Sequence, residues 1–144
     1  MLNFELVTPE RTLFKEQIEE VTLPTADGEI TVLQNHAPLV AVLVPGVARL
    51  KMKSSAEEVA VSGGFIQIGN NTVRVLADTA ERANELDLST IEAAKARAAQ
   101  VMQEVDRKDD KAYAMAAAAM ERELARYRVA TKHRNHHGSK TPNL

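Results

Sequence analysis

Two turn signals set close together within Leu23–Val40 constrain this chain more than any other feature. Asp27-Gly28 stands between two β-rich runs, and both residue types accept the positive φ of a tight hairpin. Asn35-His36-Ala37-Pro38 follows, where the proline drives the residue before it out of the helical region. Turns this close together leave room only for short strands, which is the rhythm of a β-sandwich or barrel.

The flanking segments keep that rhythm. Leu2, Phe4 and Leu6 alternate with Asn3 and Glu5, as in a half-buried strand that Pro9-Glu10 ends. Thr12–Lys15 and Ile18–Leu23 form further runs, and Ile30 and Val32 continue the alternation after the first turn. Leu39–Val44 is apolar at every position, the pattern of a strand buried on both faces. Pro45-Gly46 turns the chain into Val47–Met52, and Val59–Ser62, Phe65–Ile68 and Thr72–Leu76 complete the series with Asn70-Asn71 as a hairpin turn. Gly63-Gly64 within this region signals a bulge or a close backbone approach.

The period changes near Ala83–Glu85, which sets the expected division into a sandwich over 1–84, a helical pair over 85–131 and a disordered tail over 132–144. Ile91, Ala94, Ala98, Val101/Met102 and Val105 fall at helical spacing, with Asp87 and Ser89 as rival N-caps. Asp106–Asp110 is too polar to pack and reads as the connection. A second helix is expected from about Lys111 to Ala130, its stripe formed by Tyr113, Ala116/Ala117, Met120, Leu124 and Tyr127. Two helices on a short polar link make an antiparallel hairpin, and with small inner side chains it is loosely held.

Composition removes several chemistries. Aromatics make up 3% of the 144 residues and cysteine is absent, so the core is aliphatic and neither thiolate catalysis nor Cys-based metal sites are available. The histidines His133, His136 and His137 lack a spaced further ligand, and no metal is expected. No P-loop, nucleophile elbow or other catalytic constellation is present, so the chain is expected not to be an enzyme. The start of the sequence lacks the pattern of a signal peptide and no run is long and apolar enough to span a bilayer, from which a soluble protein, or one held at a membrane by partners, is expected.

Net charge is −2 but unevenly spread. Residues 1–84 carry seven Lys/Arg against eleven Asp/Glu, whereas from Arg122 onward the count is six against one. Arg122 and Arg126, four apart, share a helix face, with Arg128, Lys132 and Arg134 beyond them. That face is open to three readings: a solvated surface, a clamp on phosphate, or a basic edge that docks on an acidic helix. Nucleic acid is disfavoured because the remainder is acidic and no aromatic platform accompanies the arginines.

Leu23–Val40, Val61-Ser62-Gly63-Gly64-Phe65-Ile66-Gln67-Ile68-Gly69-Asn70-Asn71 and Val75-Leu76-Ala77-Asp78-Thr79-Ala80-Glu81-Arg82-Ala83, in this order and spacing, resemble the ε subunit of bacterial F-type ATP synthase to about residue 131. The resemblance implies an α+β fold, a ten-stranded β-sandwich followed by a two-helix hairpin. It further implies a non-catalytic central-stalk subunit whose sandwich binds the γ subunit and the c-ring, coupling proton flow to ATP synthesis at the cytoplasmic face of the cell membrane. Glu29 and His36 fall on the c-ring-facing loops of that pattern. The hairpin is implied to inhibit ATP hydrolysis when extended, with Arg122, Arg126 and Arg128 meeting the α and β catalytic subunits. No cofactor is required, but some members bind ATP as a regulatory ligand. Glu81, Asp87, Arg122 and Arg126 match that site, while Thr90 and Ile91 stand where the motif has Arg and Ala, with Lys95 or Arg97 as candidate substitutes.

Overall fold

The computed structural model describes residues 1–138, with side chains to His133. Among the described residues there are eight strands: β1 (Leu2–Val7), β2 (Thr12–Ile18), β3 (Glu20–Thr25), β4 (Gly28–Leu33), β5 (Leu39–Leu43), β6 (Gly46–Lys51), β7 (Ala56–Gly69) and β8 (Thr72–Arg82). A 3-10 turn at Ala83–Glu85 leads into helices α1 (Leu88–Glu104) and α2 (Asp110–Gly138). The expected turns are where the residue chemistry puts them: Gly28 has φ +110°, and Asn70 and Asn71 have φ 50° and 57° between β7 and β8.

Eight strands replace the expected ten because two of them are continuous through both layers. The first half of β7 pairs with β6, from Ala56 opposite Lys51 to Val61 opposite Gly46. Its second half pairs with β5, from Gly64 opposite Leu43 to Ile68 opposite Leu39. β8 follows β7 from Val59 opposite Arg82 to Gly69 opposite Thr72 and also runs parallel to β1. Counted once per layer, β7 and β8 supply the two further segments. The switch lies at Gly63-Gly64, where φ is +45° and +133° and a Cβ on Gly64 would collide with the carbonyl oxygen of Leu76.

Alternation is explained by what the sandwich buries. Leu2, Phe4, Leu6, Ile18, Val21, Leu23, Val32, Leu50, Val59, Ile66, Val73 and Val75 form one continuous core, with the Phe4 and Phe14 rings 6.1 Å apart. Each such side chain contributes roughly 1.5–3 kcal/mol by leaving water. β5 departs from expectation. Its all-apolar sequence does not place it between two layers, since Val40 is 70% exposed and Val42 49%.

The hairpin is attached differently. Asp87 is the N-cap of α1, accepting from the backbone N–H of Ser89 at 3.0 Å and from its hydroxyl at 2.8 Å. α1 rests mainly on α2, burying Ile91 and placing the Lys95 ammonium 4.0 Å from the centroid of the Tyr127 ring. α2 in turn lies on β6, β7 and the 3-10 turn. Val47 and Ala60 meet Ala125 and Val129 there, with Ala83 and Leu86 packed alongside. Only the two valines among the four buried side chains are of appreciable size, so the apolar seam contributes a few kcal/mol, on the order of 1.5–3 per valine.

The expected tail from Lys132 needs correction, because α2 continues to Gly138. An established helix adds one hydrogen bond per residue, and this stretch contains no proline, so a run of middling helix formers does not stop it. The last part of that expected tail, residues 139–144, lies outside the described residues.

Candidate functional site

The candidate residues fall in three places, two of them selected from the sequence. The first is the seam between the sandwich and α2. Val47, Ala60 and Glu81 are cross-strand neighbours on β6, β7 and β8, so Glu81 continues the seat on which Ala125 and Val129 rest. Arg126 lies over Glu81, with its Nε 3.0 Å from Oε1 and its Nη2 donating to Oε2 at 3.1 Å. The other edge of the same guanidinium donates from Nη1 to Glu123, at 2.8 Å to Oε2 and 3.2 Å to Oε1. The Arg126 and Glu81 side chains are only 17% and 24% exposed, so the group is largely withdrawn from water. Burial works against the Arg126 cation, but the two carboxylates outweigh it and push its pKa above the ordinary arginine value.

Arg122 and Asp87 are not drawn into that group. Arg122 is half-buried one turn before Arg126, and its Nε is buried without a hydrogen-bond partner. Asp87 is exposed and committed to its cap, where hydrogen bonds from Ser89 and Thr90 hold its carboxyl below the ordinary 3.8. Thr90 therefore supports the α1 N-terminus. Arg128 is exposed and lines a groove of about 400 Å³ with Pro24, Glu29, Pro45, Arg49, Glu58 and Lys132. Its cationic neighbours are engaged, Lys132 with Glu58 at 2.5 Å and Arg49 with Glu29 at 3.1 Å.

The second place is the end of the sandwich that carries His36. The loop there is tied by Asn35 N–H donating to Asn71 Oδ1 at 2.9 Å and Asn71 Nδ2 donating to the Met1 carbonyl at 2.8 Å. His36 Nδ1 lies 2.7 Å from the carbonyl oxygen of Ala37. Glu29 and His36 do not share a tip: Glu29 begins β4 beside α2, and about 13 Å of extended strand separates it from the end of β4, after which His36 follows.

The third place was not singled out from the sequence. Val42 faces Phe65, Phe65 faces Leu76, and Leu76 faces Val7, making one row across β5, β7, β8 and β1. Phe65 is 56% exposed and Leu76 41%, with Val40 a further exposed neighbour on β5. The signal was present as the unbroken apolar run of β5, which periodicity alone assigns to burial without saying against what. Glu123 was also missed, although Glu123 and Arg126 stand at the i, i+3 spacing of a helical ion pair.

Comparison with known proteins sets first the class. Residues 1–83 match the family described as ATP synthase, Delta/Epsilon chain, beta-sandwich domain. Three relatives, each called ATP synthase epsilon chain, extend the match. That of Desulforamulus reducens is 48% identical over 67% of this chain and 73% of its own length. That of Syntrophomonas wolfei is 40% identical over 89% and 93%, and that of Herpetosiphon aurantiacus 37% over 93% and 97%. The chain belongs to the ATP synthase epsilon chain family. Among solved structures, a chain of the Euglena gracilis mitochondrial ATP synthase OSCP/F1/c-ring assembly shares the fold at TM-score 0.74 and 20% identity, covering 94% of this chain and 81% of that one. A chain of the Tetrahymena thermophila mitochondrial ATP synthase central stalk/c-ring shares it at 0.54 and 16%, covering 92% and 95%. Among the described residues, no helix is long and apolar enough to cross a membrane.

Proposed function

We propose that this chain is a non-catalytic rotor subunit of the F1Fo ATP synthase central stalk. Its sandwich seats on the γ subunit and the c-ring and so helps couple proton transport to ATP synthesis. Its hairpin restrains ATP hydrolysis when α2 leaves the sandwich and meets the α and β catalytic subunits. The chain is held at the cytoplasmic face of the cell membrane through the complex. The observation that carries this reading is the exposed row Val42–Phe65–Leu76, an apolar band on the flank of the sandwich. Contiguous apolar surface that a chain leaves uncovered marks an interaction face. In this reading the row docks on γ, while the His36 loop belongs to the c-ring side and Glu29 stands away from it, beside α2. Phe65→Glu in the full chain tests it, with γ association measured by co-purification and the melting temperature measured in parallel. Lost association in a chain that remains folded is expected, and retained association removes the row from the interface.

A second reading, regulatory sensing of ATP, is favoured by one feature. The buried Arg122 Nε has no partner among the described residues and is the kind of donor an anionic ligand satisfies. Against it, Arg126 is already taken by two carboxylates and Thr90 supplies no guanidinium. Missing charge-assisted hydrogen bonds are worth roughly 1.5–3 kcal/mol each, a tenfold or greater loss of affinity. Calorimetric ATP titration beside a Thr90→Arg variant decides between them. Affinity appearing only in the variant means the sensor is disabled in the natural chain, and micromolar binding by the natural chain establishes it as a sensor.

A further inference from the structure

Resting on the reading of the hairpin as an inhibitor, we infer that Glu81 is an internal stand-in for the acidic group that Arg126 meets on the catalytic subunits, so that inhibition proceeds by exchange of carboxylates on one edge of one guanidinium. The two partners of Arg126 are not equivalent. Glu123 lies three residues away on α2 and travels with Arg126 wherever the helix goes. Glu81 belongs to β8 and stays with the sandwich. Glu123 occupies Nη1, whereas Glu81 lies along the Nε/Nη2 edge, accepting from Nη2 and standing 3.0 Å from Nε, which has no hydrogen-bond partner among the described residues. Opening the hairpin therefore breaks only the contact on the Nε/Nη2 edge. That edge is released while the guanidinium is still held and oriented by Glu123, which makes Glu123 a positioning residue. An arginine so presented selects a planar carboxylate, which it can hold through two donors. Off the sandwich the Arg126 edge is rehydrated and its pairing with Glu81 is lost, so α2 is favoured over Glu81 or over an equivalent acid relative to positions where that edge meets only water.

The surrounding seam agrees with this assignment. Its apolar part is four small or mid-sized buried side chains with Ala83 and Leu86 partly buried alongside, and the second ion pair, Lys132–Glu58, has its lysine 69% exposed and is weak for that reason. The Arg126–Glu81 contact is thus the element that distinguishes the closed position.

The test separates a partner exchange from a merely structural bond, using the full chain with Glu81→Gln and Arg126→Gln. Hairpin opening is read in the isolated chain from the distance between labels on α1 and β2, and hydrolysis is read after assembly into the F1 complex. Both variants are expected to raise the open fraction about tenfold, the equivalent of one charge-assisted pair. Their effects on hydrolysis are expected to diverge: Glu81→Gln inhibits more strongly than the natural chain, because the competing internal acid is gone, and Arg126→Gln inhibits less. An unchanged open fraction in Glu81→Gln, or inhibition moving the same way in both variants, overturns the exchange. A natural chain that leaves hydrolysis untouched overturns instead the underlying reading of the hairpin as an inhibitor, and the two failures are told apart by that control.

Discussion

Phe65 on β7 and Leu76 on β8 face each other directly across the sheet, and both project outward, 56% and 41% exposed. In a chain with three phenylalanines, the other two of which are buried, an aromatic left in water next to a leucine and a valine is the part of the sandwich that its own fold does not explain. Phe65→Ser is expected to lower the unfolding free energy by only about 1 kcal/mol, since more than half of the ring is in water. In the complex, loss of a central aromatic anchor is expected to cost about 2 kcal/mol or more, roughly a 30-fold weaker association with γ, measurable by surface-immobilised binding.

Gly64→Ala acts in the opposite manner. The backbone at φ +133° and the carbonyl of Leu76 leave no place for a methyl group at the point where β7 passes between layers. A loss of roughly 1–3 kcal/mol in global stability is expected, seen as a lower denaturant midpoint.

The two ion pairs of the seam should differ in weight. Lys132→Ala removes a pair whose lysine is largely in solvent, and a change of less than about 1 kcal/mol in hairpin closure is expected. Arg126→Ala removes the partner of Glu81, the contact of that guanidinium which closure forms, in a largely buried seam, and about 1.5–3 kcal/mol is expected. Equal effects on opening of the labelled chain would contradict this ranking.

The pH dependence of α1 follows from the sign of one shift. The Asp87 carboxyl titrates lower in the folded protein than its ordinary 3.8, so its cap is stabilising at all pH above that value and is lost only as pH falls below it. Helical circular dichroism is therefore expected to show no Asp87-linked change from pH 6 to 9. Asp87→Ala is expected to remove α1 helicity at neutral pH, and to abolish the part of the acid transition that belongs to this cap.

How much of this was legible depended on what each pattern encodes. Alternation at Leu2, Phe4, Leu6, Val73 and Val75 gave strands and faces correctly, because one face is core and the other solvent. The same logic misplaced β5, since an apolar run reads the same whether its side chains are covered or left exposed. The expected ten strands and the observed eight differ in how they are counted, because Gly63-Gly64 lets a strand bend between layers without ending. The helical stripe of α2 was visible, but its continuation past Ala130 was hidden by a composition that is basic without being helix-breaking. At the seam, Arg122 and Arg126 were paired by spacing as a candidate phosphate clamp, and only the fold brings Glu81 across from β8 to occupy one of them. A contact between residues 45 positions apart leaves no local signal.

The most direct measurement is the ATP hydrolysis rate of the F1 complex carrying a chain that ends at Asp87, against one carrying the whole chain. The sandwich retains its core and its exposed row in such a truncation, so it should still assemble with γ. Faster hydrolysis with the truncated chain is the result expected of an inhibitory hairpin. An unchanged rate, with the truncated chain demonstrably in the complex, would contradict it.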